Sequence, residues 1–167
     1  FALLAGLVFA LNITIWHHNI DLIGTGLSTV MGNAQVVFIG FVAWALYGER
    51  PTALALGAVP IMLFAVVLIS GLVGEGARIE RPWLGAGLGV ATAVLNATWF
   101  LLFREARRRA RGSAGVLTFL TGAAAVGALA FAPTDPGFTL AVPLQAYGWI
   151  LALALSAQVV GWLFITP

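Results

Sequence analysis

The sequence predicts an all-α integral membrane protein, and three observations carry that expectation. The chain is 61% hydrophobic and only 8% charged, whereas roughly a quarter of an ordinary soluble domain is charged. A soluble fold of 167 residues has too little interior to hide so much apolar surface. Charges also recur at close to the interval of about 20 apolar residues that one helical crossing of a bilayer needs. The runs between them lack the strict alternation of a membrane barrel strand and are about twice its length.

Six spans follow in order, at 1–16, 22–47, 52–74, 83–103, 114–132 and 144–166. The first runs from Phe1 to Trp16 and meets His17, His18 and Asp21. The second is the longest uncharged run and stops at WALYGERP, where Gly48, Glu49, Arg50 and Pro51 form a turn and Pro51 opens the next helix. The third carries Pro60, which removes a backbone hydrogen bond and kinks the span. The fourth has two faces: Gly85, Gly89, Ala93 and Ala97 form a small-residue ladder suited to close helix packing, while Thr92, Asn96, Trp99 and Phe103 lie on a neighbouring face free to line a cavity. The fifth follows REARRRARGS, and the sixth follows the Pro133–Pro143 connector.

Short connectors make successive helices antiparallel. Residues 48–51, 104–113 and the C-terminal end then fall on one side, and 17–21, 75–82 and 133–143 on the other. Arg50, Arg104, Arg107, Arg108, Arg109 and Arg111 lie on the first side, and only Arg78 and Arg81 on the second. Positive charge marks the first side, including loops 48–51 and 104–113, as cytoplasmic. REARRRARGS reads as a topological stop beside anionic headgroups rather than as a nucleic-acid footprint. Phe1 opens within an apolar run without an initiating Met or a basic n-region, and Pro167 falls where a loop should begin, so a fragment of a longer protein is expected.

The chemistry of an enzyme is not visible. With no cysteine there is no thiolate nucleophile or cysteine metal site. The adjacent His17 and His18 point about 100° apart on a helix and do not form the i, i+4 chelate of a zinc helix. No cofactor or metal is expected. What stands out is polarity inside the spans: Asn12, Asn33, Gln35, Asn96 and Gln158. A lone amide in hydrocarbon is costly, so each should face protein or a water-filled cavity. Helix-to-helix bonding is the bland reading for any one of them. As a set they look more like a pocket lining, because Asn12 pairs with Trp16 and Gln158 with Trp162 at i, i+4, and Asn96 with Trp99 at i, i+3. Each pair combines hydrogen bonding with apolar or cation-π contact for an organic solute.

ALNITIW (10–16) and SAQVVGW (156–162) share an amide, three residues and a Trp, on spans that run in opposite directions, as in an inverted repeat. GTGLSTVMGNAQVVFIGFVAWALYGERP resembles the most recognisable segment of the EamA-like drug/metabolite transporters. ALALSAQVVGWLFITP resembles the corresponding stretch of the second repeat, and Trp16-His17-His18 the Trp-His ending of the third helix. The resemblance implies a ten-helix bundle of two inverted five-helix repeats in the cytoplasmic membrane, of bacterial type. Residues 1–74 would be the last three helices of the first repeat, 75–82 an extracytoplasmic linker, and 83–167 the first three helices of the second. It further implies a permease exporting a small metabolite or drug-like solute by alternating access, with Asn12, Trp16, Asn33, Gln35, Asn96, Trp99, Gln158 and Trp162 at the central cavity. Partners would be the lipid bilayer and a small organic solute, with no nucleic acid, and homodimerisation is left open. Where the family often has Pro after an acid or amide, Val36 follows Gln35, so a weaker kink is expected there. No acid lies inside the six spans, so energy coupling falls to the helices beyond them or the protein is a facilitator. The alternative is a non-transporting scaffold or assembly subunit, which predicts a dry, filled bundle.

Overall fold

A computed structural model describes residues 1–69, 81–110, 112–135 and 138–156. The described residues form helices α1 (Ala2–Asn33), α2 (Gln35–Tyr47), α3 (Ala53–Ile69), α4 (Pro82–Arg109), α5 (Ser113–Phe131) and α6 (Leu144–Leu153), with a 3₁₀ turn at Ala132–Thr134 and no strand among them. Three stretches are long and apolar enough to cross a membrane: Ala2–Ala45, Trp83–Arg109 and Ala114–Thr134. Outward faces are apolar as well. Leu54, Trp83 and Leu144 are 85%, 89% and 87% exposed, which suits hydrocarbon and not water.

The first stretch is long enough for two crossings and is broken at Gly24, whose φ of 80° and ψ of 163° suit only glycine. The chain folds back there. A Cβ placed on Gly32 would lie 3.9 Å from Trp16 Cδ1, and these positions are eight residues either side of Gly24. At 1.5 Å per residue the arm before the break is about 33 Å long, close to the thickness of a bilayer core. The expected 17–21 connector is therefore helical: the His and Asp side chains lie along a helix, and the glycine, not the polar residues, makes the turn. A second irregularity, at Ala34, is tightened by 3₁₀-type bonds from Ala34 N–H to Met31 O and from Val37 N–H to Ala34 O, each 3.0 Å. A weaker kink was expected near Gln35; the helix is nevertheless interrupted one residue earlier, by this tight turn.

Gly48 ends α2 in the left-handed region at φ 68°, donating its N–H to Trp44 O. Pro51 does not open α3: Thr52 O accepts the first bond, from Leu56 N–H, and the helix starts at Ala53. Pro82 does open α4. This helix continues through the arginine run to Arg109, so residues 104–109 are helix and not loop. Arg107, Arg108 and Arg109 in its last turn oppose the negative end of its dipole. Residues 70–74 of the third expected span and 157–166 of the sixth lie outside the described residues.

Contacts fix the direction of the helices. Arg104 donates to both carboxylate oxygens of Glu49, at 3.0 Å from Nη1, and its guanidinium lies 4.8 Å from the Tyr47 ring centre. Arg109 lies 4.5 Å from the Phe1 ring centre. At the opposite end, His18 Nε2 is 3.3 Å from Thr134 O, and Gly85 packs on Ile23 and Asn19. The first arm of α1 and α5 therefore run parallel, and α4 runs against both. Turn 48–51 and the end of α4 share one end of the bundle, as the alternation of short connectors led us to expect.

The core lies between α1, α4 and α5. Ala5, Trp99, Phe103, Ala106, Val116 and Leu120 are buried together. Small residues permit this closeness: Gly6 packs against the Leu120 carbonyl, and a Cβ there would lie 2.7 Å from Ala123 Cβ. Gly127 would likewise put a Cβ 2.7 Å from Ala10 Cβ.

Gly6→Ala should lower unfolding stability by about 1–3 kcal/mol through overpacking against backbone, whereas Gly122→Ala, with open space around it, should change it by less than about 1 kcal/mol. Thermal unfolding in detergent compares the two. The Arg104 hydrogen bonds hold the exposed Glu49 carboxyl below the ordinary glutamate value of 4.5. A carboxylate with a lowered folded pKa contributes stability that is present above its unfolded pKa and lost as pH falls through the folded one. The stability difference between the protein and its Glu49→Gln variant should accordingly shrink below about pH 4.5 and in high salt, measured as unfolding midpoints across pH.

Candidate functional site

The amides that the sequence singled out divide into three groups by position. Asn12, Trp16, Asn96 and Trp99 come together where α4 crosses the folded-back α1. Asn12 is 2% exposed and donates from Nδ2 to Thr92 O at 2.8 Å. Asn96 donates from Nδ2 to Gly32 O at 3.4 Å and accepts from Trp99 Nε1 at 2.9 Å. Trp16 reaches Gly32 from the other arm of α1. Gly32 is the close-approach point of this seam, since the Thr92 methyl would lie 3.5 Å and the Asn96 amide nitrogen 3.9 Å from a Cβ there.

Asn33 and Gln35 form the second group, beside the seam but not in it. Asn33 is exposed and bonds within its own helix, to Thr29 O at 2.9 Å. Gln35 is half-buried, and its Oε1 is buried with no hydrogen-bond partner. Gln158 and Trp162 make the third group and lie outside the described residues. The i, i+3 relation of Asn96 and Trp99 is realised as a direct hydrogen bond.

The fourth span packs on both of its expected faces. Ala93 and Ala97 are 0% and 3% exposed, and Gly89 lies against Met31, as the ladder suggested. Thr92, Trp99 and Phe103 are buried too. Trp99 meets Phe9 edge-on with ring centres 5.0 Å apart and stacks on Phe100 at 4.0 Å. A cavity-lining face was expected here; instead the second arm of α1 meets Thr92 and Asn96, the first arm and α5 cover Trp99 and Phe103, and the space opens one residue round the helix. A cleft of about 360 Å³ separates α2 from α4, lined among others by Phe38, Val42, Ala97, Thr98, Leu101 and Leu102. It reaches the end of the bundle where Phe1, Tyr47 and Glu105 meet. A second, apolar cleft of about 230 Å³ lies between α2 and α3, against Gly40, Phe41, Pro51 and Pro60.

No cluster of three metal-ligating side chains occurs among the described residues. His17 and His18 face carbonyls of their own helix, Ile13 O and Thr14 O, and His18 also faces Thr134 O. Two residues absent from the sequence-based site are the most completely enclosed polar groups described: Asn19 and Ser28, both 0% exposed. Asn19 lies on the Asn12–Trp16 face, at i+7 from Asn12, a signal the charged neighbours His17, His18 and Asp21 obscured by looking like a loop.

Asn12→Leu should leave the chain folded and lower its stability by about 0.5–2 kcal/mol, the range for an interhelical hydrogen bond in a membrane bundle. Comparison of unfolding midpoints for this variant with Asn33→Leu, which removes only a bond within one helix, should show the larger loss for Asn12. Set against protein-family models, curated proteins and solved structures, the chain matches none.

Proposed function

We propose that the protein is a secondary transporter that carries a small organic solute across the cytoplasmic membrane by alternating access. The observation that carries this reading is the cleft of about 360 Å³ between α2 and α4, within the size range of small-molecule pockets. Its walls come from the second and fourth spans, whose counterparts in the EamA-like transporters contribute to the central cavity. The reading includes that family's ten-helix arrangement of two inverted repeats and places the Glu49–Arg104 end in the cytoplasm, where arginine is concentrated.

Amides at the α1–α4 seam suit such motion. The 3.4 Å Asn96–Gly32 contact is long for a hydrogen bond and is readily exchanged for one to solute or water. One observation favours the second reading, a non-transporting scaffold: Asn12 and Asn96 are both engaged with backbone carbonyls of the facing helix, as helix-to-helix bonds would be.

Counterflow of labelled amino acids, nucleosides and cationic dyes into proteoliposomes separates the two. A transporter should give saturable flux of one class, lost in a double variant Asn12→Ala, Gln158→Ala that still inserts and folds. Folded protein that moves nothing across a broad panel supports the scaffold.

A further inference from the structure

Either side of the Gly24 break lie polar atoms that no group among the described residues satisfies. Asn19 Oδ1, Asn19 Nδ2 and Ser28 Oγ are buried without a hydrogen-bond partner, and both residues are 0% exposed. Burying such groups unpaired costs about 1–3 kcal/mol each. Apolar residues would remove that penalty, so the polar atoms call for a ligand.

Their placement shows what kind. Asn12, Trp16, Asn19 and Ile23 follow one another at i, i+4, i+7 and i+11 along the face of α1 that meets α4. Asn12 is occupied by Thr92 O, whereas Asn19, farther along the same face, keeps both ends of its amide free. Asn19 Oδ1 would lie 3.7 Å from a Cβ on Gly85, so the first turn of α4 closes one side. Asn19 lies on the arm between Trp16 and Gly24, and Ser28 on the other arm, between Gly24 and the point where Gly32 approaches Trp16. Two neutral side chains on the two arms of one break thus offer an acceptor, a double donor and a hydroxyl.

We propose that Asn19 and Ser28 form a recognition site for a neutral amide edge, an N–H donor and a carbonyl acceptor side by side, as in a carboxamide or a nucleobase. The site deepens the transport reading above, on which its role as a solute site rests. An amide edge pairs with the Asn19 carboxamide through two antiparallel N–H···O bonds, and Ser28 Oγ takes the remaining donor or acceptor. A carboxylate would satisfy Nδ2 but oppose Oδ1. An ammonium group would satisfy Oδ1 and leave Nδ2 unpaired. Neither charge has a fully buried counter-ion among the described residues, where the buried polar side chains are all neutral and Asp21 is exposed. Both side chains are closed to solvent in this conformation, so entry requires the two arms to part at Gly24, the position where the backbone is already non-helical.

Thermal-shift titration of the purified full-length protein tests the site, with acetamide and uracil as the two sources of an amide edge and acetate and ethylammonium as charged controls. Saturable stabilisation by acetamide or uracil but not by the controls is expected, with the stronger of the two identifying the source. That stabilisation should be lost in Asn19→Leu and in Ser28→Ala, while the unliganded melting temperature of each variant equals or exceeds that of the parent. Absence of a shift with either amide, as when the gap holds only water, overturns the site; so does a shift that persists in both variants. Counterflow on the same preparations keeps the two readings apart. Asn19-dependent binding without flux leaves the site standing and removes transport, and saturable flux indifferent to both substitutions does the reverse.

Discussion

Close approach of α4 to both arms of α1 is the constraint on which the rest of the bundle depends. Lipid gives no hydrophobic drive for one apolar helix to leave it for another, so association must come from tight packing and from hydrogen bonds made where backbones nearly touch. Gly85 against Ile23, Gly89 against Met31 and Gly32 against Thr92 provide that contact along the first half of α4. Only at this separation do Asn12 and Asn96 reach carbonyls of the facing helix. A larger side chain at Gly32 would separate the arms and leave the amides in hydrocarbon, so packing and polarity at this seam are a single device. Gly6 and Gly127 extend the same principle to α5.

Helical class and the membrane-long apolar stretches at Ala2–Ala45, Trp83–Arg109 and Ala114–Thr134 were legible because they rest on composition, and the shared end of turn 48–51 with the arginine run because short connectors alternate sides. Apolar length predicts a crossing whatever its neighbours do, and charge predicts an end. What composition did not reveal was where a helix actually bends. His17, His18 and Asp21 looked like a connector because polar residues usually sit outside hydrocarbon, yet the helix runs through them and turns at Gly24, since backbone geometry and not polarity decides a sharp reversal. REARRR misled in the same way: arginines end a membrane crossing without ending a helix, and α4 projects to Arg109 with its last turn stabilised by those charges.

The candidate site was partly legible for a related reason. Pairing of amides with indoles at helical spacing is a local property, and Asn96 and Trp99 realise it directly. Which face of α4 would be covered is a tertiary property. Thr92, Asn96, Trp99 and Phe103 had the composition of a lining, but the second arm of α1 lies on Thr92 and Asn96 and the first arm with α5 on Trp99 and Phe103, and the open space falls instead on Ala97, Thr98 and Leu101. Asn33 shows the limit of sequence position as a guide: it adjoins the seam residue Gly32, but one step along a helix rotates it by about 100° to the exterior.

The amides therefore differ in what they are available to do. Asn12 and Asn96 contribute to cohesion because their donors meet carbonyls, and a solute could engage them only by displacing those bonds. Asn19 and Ser28 contribute nothing to cohesion in this conformation; enclosed and unpartnered, they reduce it. A bundle held by small-residue contacts tolerates that penalty only while neighbouring contacts close over it, and those neighbours, Ile23 and Gly85, meet at the one point in α1 where the backbone leaves the helix. Stored polar strain next to a glycine reversal is an arrangement in which a ligand able to satisfy the polar atoms would favour one packing of the two arms over another. Such a bias toward one state is the requirement for coupling solute binding to movement.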